Sequence, residues 1–193
     1  MPLSPPITTP IFLSDLAANA LIGISTPQFA LAVATGLQIY AGSGLQVVSV
    51  DVGTLGAGVG LGLGVTISPS ILIASFTASF AANGLLGIMS PPMINALALG
   101  FATVMQQGIV TTVSAGVGLG AGVATLVPNP GASAAAWVAG FAAAGLVGPN
   151  IPQMANAIAQ GFDTAAPSAI GAVVIAGPPN ILPGAGVGTG VIA

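Results

Sequence analysis

Three aspartates are the only ionisable side chains in this chain, so acid–base or metal chemistry would have to start from them. They are Asp15, Asp51 and Asp163, and the 193 residues contain no Lys, Arg, His or Cys. A paired-carboxylate site needs two carboxylates close together, whereas these three fall at a predicted helix start, a strand and a helix end. We therefore interpret them as solvated or helix-capping carboxylates.

Other kinds of catalytic chemistry lack a necessary group. Ser or Thr becomes nucleophilic beside a base such as His or Lys, and the chain has neither. Thiolate metal sites need Cys, and no segment has the spacing of a known calcium loop. The Gly-rich runs lack the Lys and the Gly-x-Gly-x-x-Gly spacing of phosphate loops. The sequence predicts no catalytic, cofactor-binding or metal-binding residue, no cofactor and no enzyme activity.

Charge is scarce along the whole chain. Charged residues make up 2% of it, against about 25% in an ordinary domain. Nucleic-acid binding needs cations against phosphate, so that function is excluded. The mean hydropathy of +1.06 leaves open the question of what covers the apolar surface.

One unit occurs three times along the chain. Residues 16–23, 80–87 and 141–148 match one another, and Gly36, Gly100 and Gly161 follow at the same distances. The offsets are constant, 64 from the first copy to the second and 61 from the second to the third. The pattern indicates three tandem repeats in one compact assembly. We assign an N-terminal extension (1–10) and units at 11–70, 71–130 and 131–193.

Each unit begins with two predicted helices. The first helix of unit 1 is expected to start near Ser14, with Asp15 in its first turn, and to end near Gly23. The second is expected to start at Thr26-Pro27 in unit 1 and at Ser90-Pro91 in unit 2, because a hydroxyl followed by Pro is a helix-start signal. In unit 3 this signal is displaced to Asn150 and Pro152.

Aromatic residues recur at helical positions in these segments, and we interpret them as core anchors of each unit. They are Phe80, Phe101, Trp137, Phe141 and Phe162.

Strand-like segments follow each predicted helix pair. Runs rich in β-branched residues (45–52, 109–114 and 170–175) precede runs in which Gly alternates with apolar residues (56–64, 116–122 and 184–190). A period of two favours strands over a flexible linker. The expected fold class is α+β: three tandem repeats, each a short helical hairpin followed by a Gly-rich β-hairpin or strand pair. The units would surround a pseudo-threefold axis or stack in a line.

Two functions fit an apolar, nearly uncharged surface. The first is a non-enzymatic structural subunit of a virion, a phage tail or baseplate, or an extracellular fibre, with protein partners or copies of itself covering the surface. The alternative is an integral membrane or pore-forming protein such as a channel or a holin-like pore. The predicted helices are shorter than the roughly 20 residues that span a bilayer and lack basic flanks, which favours the first interpretation.

Overall fold

A computed structural model describes most of the backbone and the side chains of three segments. The backbone is described for 4–42, 45–54, 57–66, 68–107, 109–115, 119–127, 130–168, 170–176 and 184–192. Side chains are described for residues 4–40, 68–105 and 133–167.

Among the residues that the structure describes, six α-helices form one closed ring. Their bounds are α1 Pro5–Ala18, α2 Thr26–Gly42, α3 Pro69–Ala82, α4 Ser90–Gln107, α5 Pro130–Ala143 and α6 Ile151–Ala165, and a 3₁₀ turn, Ala166–Ser168, follows α6. Each helix packs against the helices before and after it in sequence, and α6 packs against α1. The helices therefore surround an axis and do not stack in a line.

The first helix starts earlier than the sequence predicts. It begins at Pro5 with Ser4 as its N-cap, inside the segment assigned as the N-terminal extension. The expected start near Ser14 is wrong, and Asp15 lies near the C-terminal end of α1. Pro at the first helical positions favours this earlier start. Pro10, which a helix interior usually excludes, lies inside α1.

Within the described backbone, six strands lie between and after the helix pairs. They are β1 Leu45–Thr54, β2 Ala57–Thr66, β3 Ile109–Ala115, β4 Leu119–Val127, β5 Ile170–Ala176 and β6 Gly184–Ile192. All six pair antiparallel in sequence order, and β6 pairs with β1 to close the sheet. The side chains of these strands, including the predicted glycine faces, lie outside the described side chains.

The predicted fold class, α+β with a self-contained β-hairpin in each unit, is wrong. In the part of the chain described to its side chains, all regular structure is helical and belongs to one ring. The backbone pairing also crosses unit boundaries, because β2 pairs with β3 and β4 with β5. The physical reason is that a two-helix hairpin cannot enclose its own aromatic residues, so the units share one core.

Three aromatic side chains each pack against a glycine of the neighbouring unit, and these contacts join the units. Each ring comes from the first helix of one unit, and each Gly lies on the second helix of the unit before it around the ring. A Cβ added to Gly36 would lie only 2.7 Å from Cε1 of Phe76, closer than packed atoms approach. The three pairs are Phe12 with Gly161, Phe76 with Gly36, and Trp137 with Gly100.

The centre of the ring is aromatic and fully buried. Phe101 stacks on Phe76, with ring centroids 5.5 Å apart. The Phe101 side chain also contacts Trp137 and Phe162 edge-on, with ring centroids 4.2 Å and 5.2 Å apart. The interpretation of these aromatics as core anchors agrees with their burial, since none of them exposes more than 3% of its surface.

Candidate functional site

The structure describes the side chains of two of the three aspartates, Asp15 and Asp163, and places them on different helices. Asp15 lies near the end of α1 and Asp163 near the end of α6, and both are half-buried. The backbone of Asp51 lies within β1, and its side chain is outside the described ones. Among the described residues, no group of three or more potential metal ligands occurs.

Asp163 joins two helices through a hydrogen bond. The Ser133 hydroxyl on α5 donates to Oδ1 of Asp163 on α6 at 3.0 Å. Burial raises the pKa of Asp163, and the Ser133 hydrogen bond opposes that rise. Burial likewise raises the pKa of Asp15. The chain has no basic side chain to stabilise these carboxylates, and burial is the largest effect on the pKa of both.

The most distinctive surface is formed by the three loops that join paired helices. We define the loop rim as residues 20–25, 84–89 and 145–150. The second helix of each pair runs toward the sheet, because α2 contacts β1, α4 contacts β2, and the 3₁₀ turn after α6 contacts β4. The loops connect the opposite helix ends, so the loop rim lies at the end of the ring remote from the sheet.

A repeated backbone motif turns the chain into each loop. In unit 1 the N–H of Leu21 donates to the carbonyl of Leu16 at 2.9 Å, and the N–H of Ala20 donates to that of Ala17 at 3.0 Å. Units 2 and 3 repeat both bonds, giving three Schellman motifs. The residue at the turn has positive φ in every unit: 59° at Ala20, 68° at Gly84 and 74° at Gly145.

In two of the three loops, the hydroxyl of the first residue of the next helix forms hydrogen bonds with the loop backbone. Thr26 Oγ1 accepts the N–H of Gly23 at 2.7 Å and donates to the carbonyl of Leu21 at 3.2 Å. Ser90 makes the same two bonds in unit 2, to the N–H of Gly87 and the carbonyl of Leu85. The sequence assigned both hydroxyls to the start of the second helix, but their bonds run backwards into the loop. Ile151 occupies this position in unit 3 and has no hydroxyl.

The loop rim exposes large aliphatic side chains at repeat-equivalent positions. Ile24 and its equivalent Ile88 are 96% and 95% exposed, and Val147, which is equivalent to Ile22 and Leu86, is 83% exposed. Ile22, Leu86 and Met89 add to the same surface. Exposed single aliphatics are ordinary, whereas a clustered set is typical of an interaction surface.

A depression of about 410 Å³ opens beside the unit 1 part of the loop rim. It lies where the closing helices meet and is lined mainly by apolar groups, including Leu16, Leu21, Ile24, Phe29 and Met154. At the equivalent junction between units 1 and 2, Phe29 and Phe80 meet edge-on at 6.0 Å. At the depression the equivalent pair is Met154 and Leu16, so it lacks this aromatic contact.

The sequence pattern at residues 20–25 and their equivalents predicts helix ends and does not indicate that the loop rim is an exposed apolar surface. The available signal was Ile22-Gly23-Ile24 beside its counterparts Leu86-Gly87-Ile88 and Val147-Gly148-Pro149. Apolar residues flanking a loop Gly at all three repeats are unusual for a solvated turn.

Across the described helices, we find none that is both long enough and apolar enough to cross a bilayer. Comparison of the chain with protein-family models, with curated proteins and with solved structures gave no match.

Proposed function

We propose that this chain is a non-enzymatic structural subunit whose loop rim is covered by protein in a larger assembly. The observation that carries the proposal is the set of nearly fully exposed aliphatic side chains, Ile24 and Ile88 above all, at equivalent places in repeated loops. Burying such side chains stabilises an association by about 1.5–3 kcal/mol each.

The loop backbone supports this proposal. In each of units 1 and 2, one loop N–H and one loop carbonyl are bonded to the hydroxyl of Thr26 or Ser90. Unsatisfied polar groups make an interface costly to dry, at about 1–3 kcal/mol each. The Thr26 and Ser90 bonds therefore lower the cost of covering these two loops with an apolar partner. A virion or an extracellular assembly remains our predicted location.

Photocrosslinking in the native source tests the proposal. A photoreactive residue replaces Ile24, and a matched control replaces Ile71, an exposed aliphatic on α3 outside the loop rim. We expect Ile24 to crosslink to protein in a particle washed without detergent, and Ile71 to crosslink much less. Because the chain has no Lys or Arg, products are identified by intact mass or chymotryptic peptides.

Recovery of the chain only with detergent, with crosslinks from position 24 to lipid alone, would favour the membrane alternative and reject the structural-subunit proposal.

A further inference from the structure

We infer that the occupant of the loop rim is a second copy of this chain, packed rim to rim about a twofold axis. This inference rests on the proposed function and names the partner of the same surface. In this arrangement, Ile88 of each copy enters the depression beside Ile24 of the other copy.

The loop rim carries both halves of such a contact. Unit 2 presents a knob, since Ile88 is 95% exposed and its neighbour Met89 is 61% exposed. Unit 1 presents the depression, lined by Leu21, Ile24 and Phe29. A twofold contact uses the same patch on both copies, so knob and hole must lie on one surface. Ile88 and the depression both lie at the loop-rim end of the ring, as a twofold contact between two copies requires.

The area also fits two copies. A fully buried aliphatic side chain removes on the order of 100 Å² from water, so the six exposed side chains of the loop rim supply roughly 500 Å² per copy. Two facing rims then bury about 1,000 Å², the smallest area expected of a proposed biological interface. The described loop rim has no charged residue, so close approach of two copies brings no like charges together.

The asymmetry among the units agrees with this orientation. Units 1 and 2 carry five of the six exposed aliphatics, whereas unit 3 contributes Val147 and continues with Pro149. A twofold axis that exchanges units 1 and 2 between copies places the two richer loops against each other. Unit 3 of one copy then faces unit 3 of the other, at the poorest part of the contact.

The test measures the mass of the purified full-length chain by sedimentation over a concentration series. We expect wild type at twice 18.3 kDa and Ile88→Asp at the monomer mass with unchanged helical circular dichroism. Ile71→Asp, which changes an exposed aliphatic outside the loop rim, should remain a dimer. Wild type that stays monomeric, or an Ile88→Asp variant that stays dimeric, would overturn the inference.

Cysteine trapping keeps the inference falsifiable if Ile88→Asp does not fold. The chain has no native Cys, so mixing an Ile24→Cys preparation with an Ile88→Cys preparation should give a covalent heterodimer on mild oxidation. A mixture in which an Ile71→Cys preparation replaces either of these two should not give a covalent heterodimer. Failure of the first pair to crosslink faster than the control pair counts against the twofold contact.

Two further outcomes separate this inference from the proposed function. A monomeric wild type whose position 24 crosslinks to a different protein in the washed particle overturns the second-copy inference and leaves the structural role standing. A monomeric wild type that floats with phosphatidylcholine vesicles, and loses flotation with Ile88→Asp, overturns both.

Discussion

The ring of Phe12 lies directly over the bare Cα of Gly161, and this contact fastens the first helix of the chain to the last. The same relationship recurs between Phe76 and Gly36 and between Trp137 and Gly100. Because α1 and α6 are far apart in sequence, this contact closes the ring and makes the three units mutually dependent.

Gly100→Ala should destabilise the protein by about 1–3 kcal/mol, because the new Cβ would overlap the Trp137 ring. Helix propensity alone predicts the opposite sign, a gain of about 1 kcal/mol. Denaturant unfolding decides between them. Gly87→Ala, in a loop, is the control for a Cβ added without steric contact, since nothing lies within 4 Å of it. Partial recovery in Gly100→Ala with Trp137→Phe would confirm the steric cause, and a stabilised Gly100→Ala would exclude it.

Ala20→Gly should stabilise the protein by about 1 kcal/mol. Ala20 has φ of 59°, a left-handed conformation that costs a residue with a Cβ roughly 1–2 kcal/mol. Gly84→Ala introduces the same cost at the equivalent turn of unit 2 and should destabilise by a similar amount. Thermal or urea unfolding of the two single variants measures both. If both substitutions changed the free energy of unfolding in the same direction, the Schellman geometry would be contradicted.

Ser90→Ala should cost about 1–2 kcal/mol, because it leaves the N–H of Gly87 and the carbonyl of Leu85 without their partner. Amide hydrogen exchange provides a local readout, and we expect faster exchange at Gly87 in the variant. Thr103→Val is the control, since it removes an exposed hydroxyl that bonds only within its own helix. Unchanged exchange at Gly87 would show that the hydroxyl does not hold the loop.

Acidification should stabilise this protein as the pH falls through the pKa of Asp163. Burial raises that pKa above its unfolded value, so the folded state keeps the proton to higher pH than the unfolded chain does. Stability is then greatest below the unfolded pKa and falls as the pH rises through the folded one. Thermal melts from about pH 3 to 7 measure this trend.

Asp163→Asn should flatten the pH dependence while its side-chain oxygen still accepts the Ser133 hydroxyl. Asp15→Asn should reduce the dependence further, because burial also raises the pKa of Asp15. A wild type that loses stability on acidification, with Asp163→Asn showing the same slope, would refute this assignment.

The amino-acid sequence by itself determined the repeat, the spacing of its glycines and the scarcity of charge. Constant offsets place Gly36, Gly100 and Gly161 at equivalent positions, and the composition shows that no Lys or His stands beside any Ser or Thr as a base. These properties depend on residue type and order alone, so they are readable without a fold.

The tertiary structure decided how the units combine and which surface remains exposed. Ser14 and Asp15 predict a helix start there, whereas α1 begins at Pro5 and continues through Pro10, and Phe12 in its interior packs on Gly161 of α6. Likewise, Ile24 and Leu21 are both apolar loop residues, yet Ile24 is nearly fully exposed and Leu21 packs against the core. Burial depends on contacts between segments distant in sequence, so only the folded ring separates the core from the loop rim.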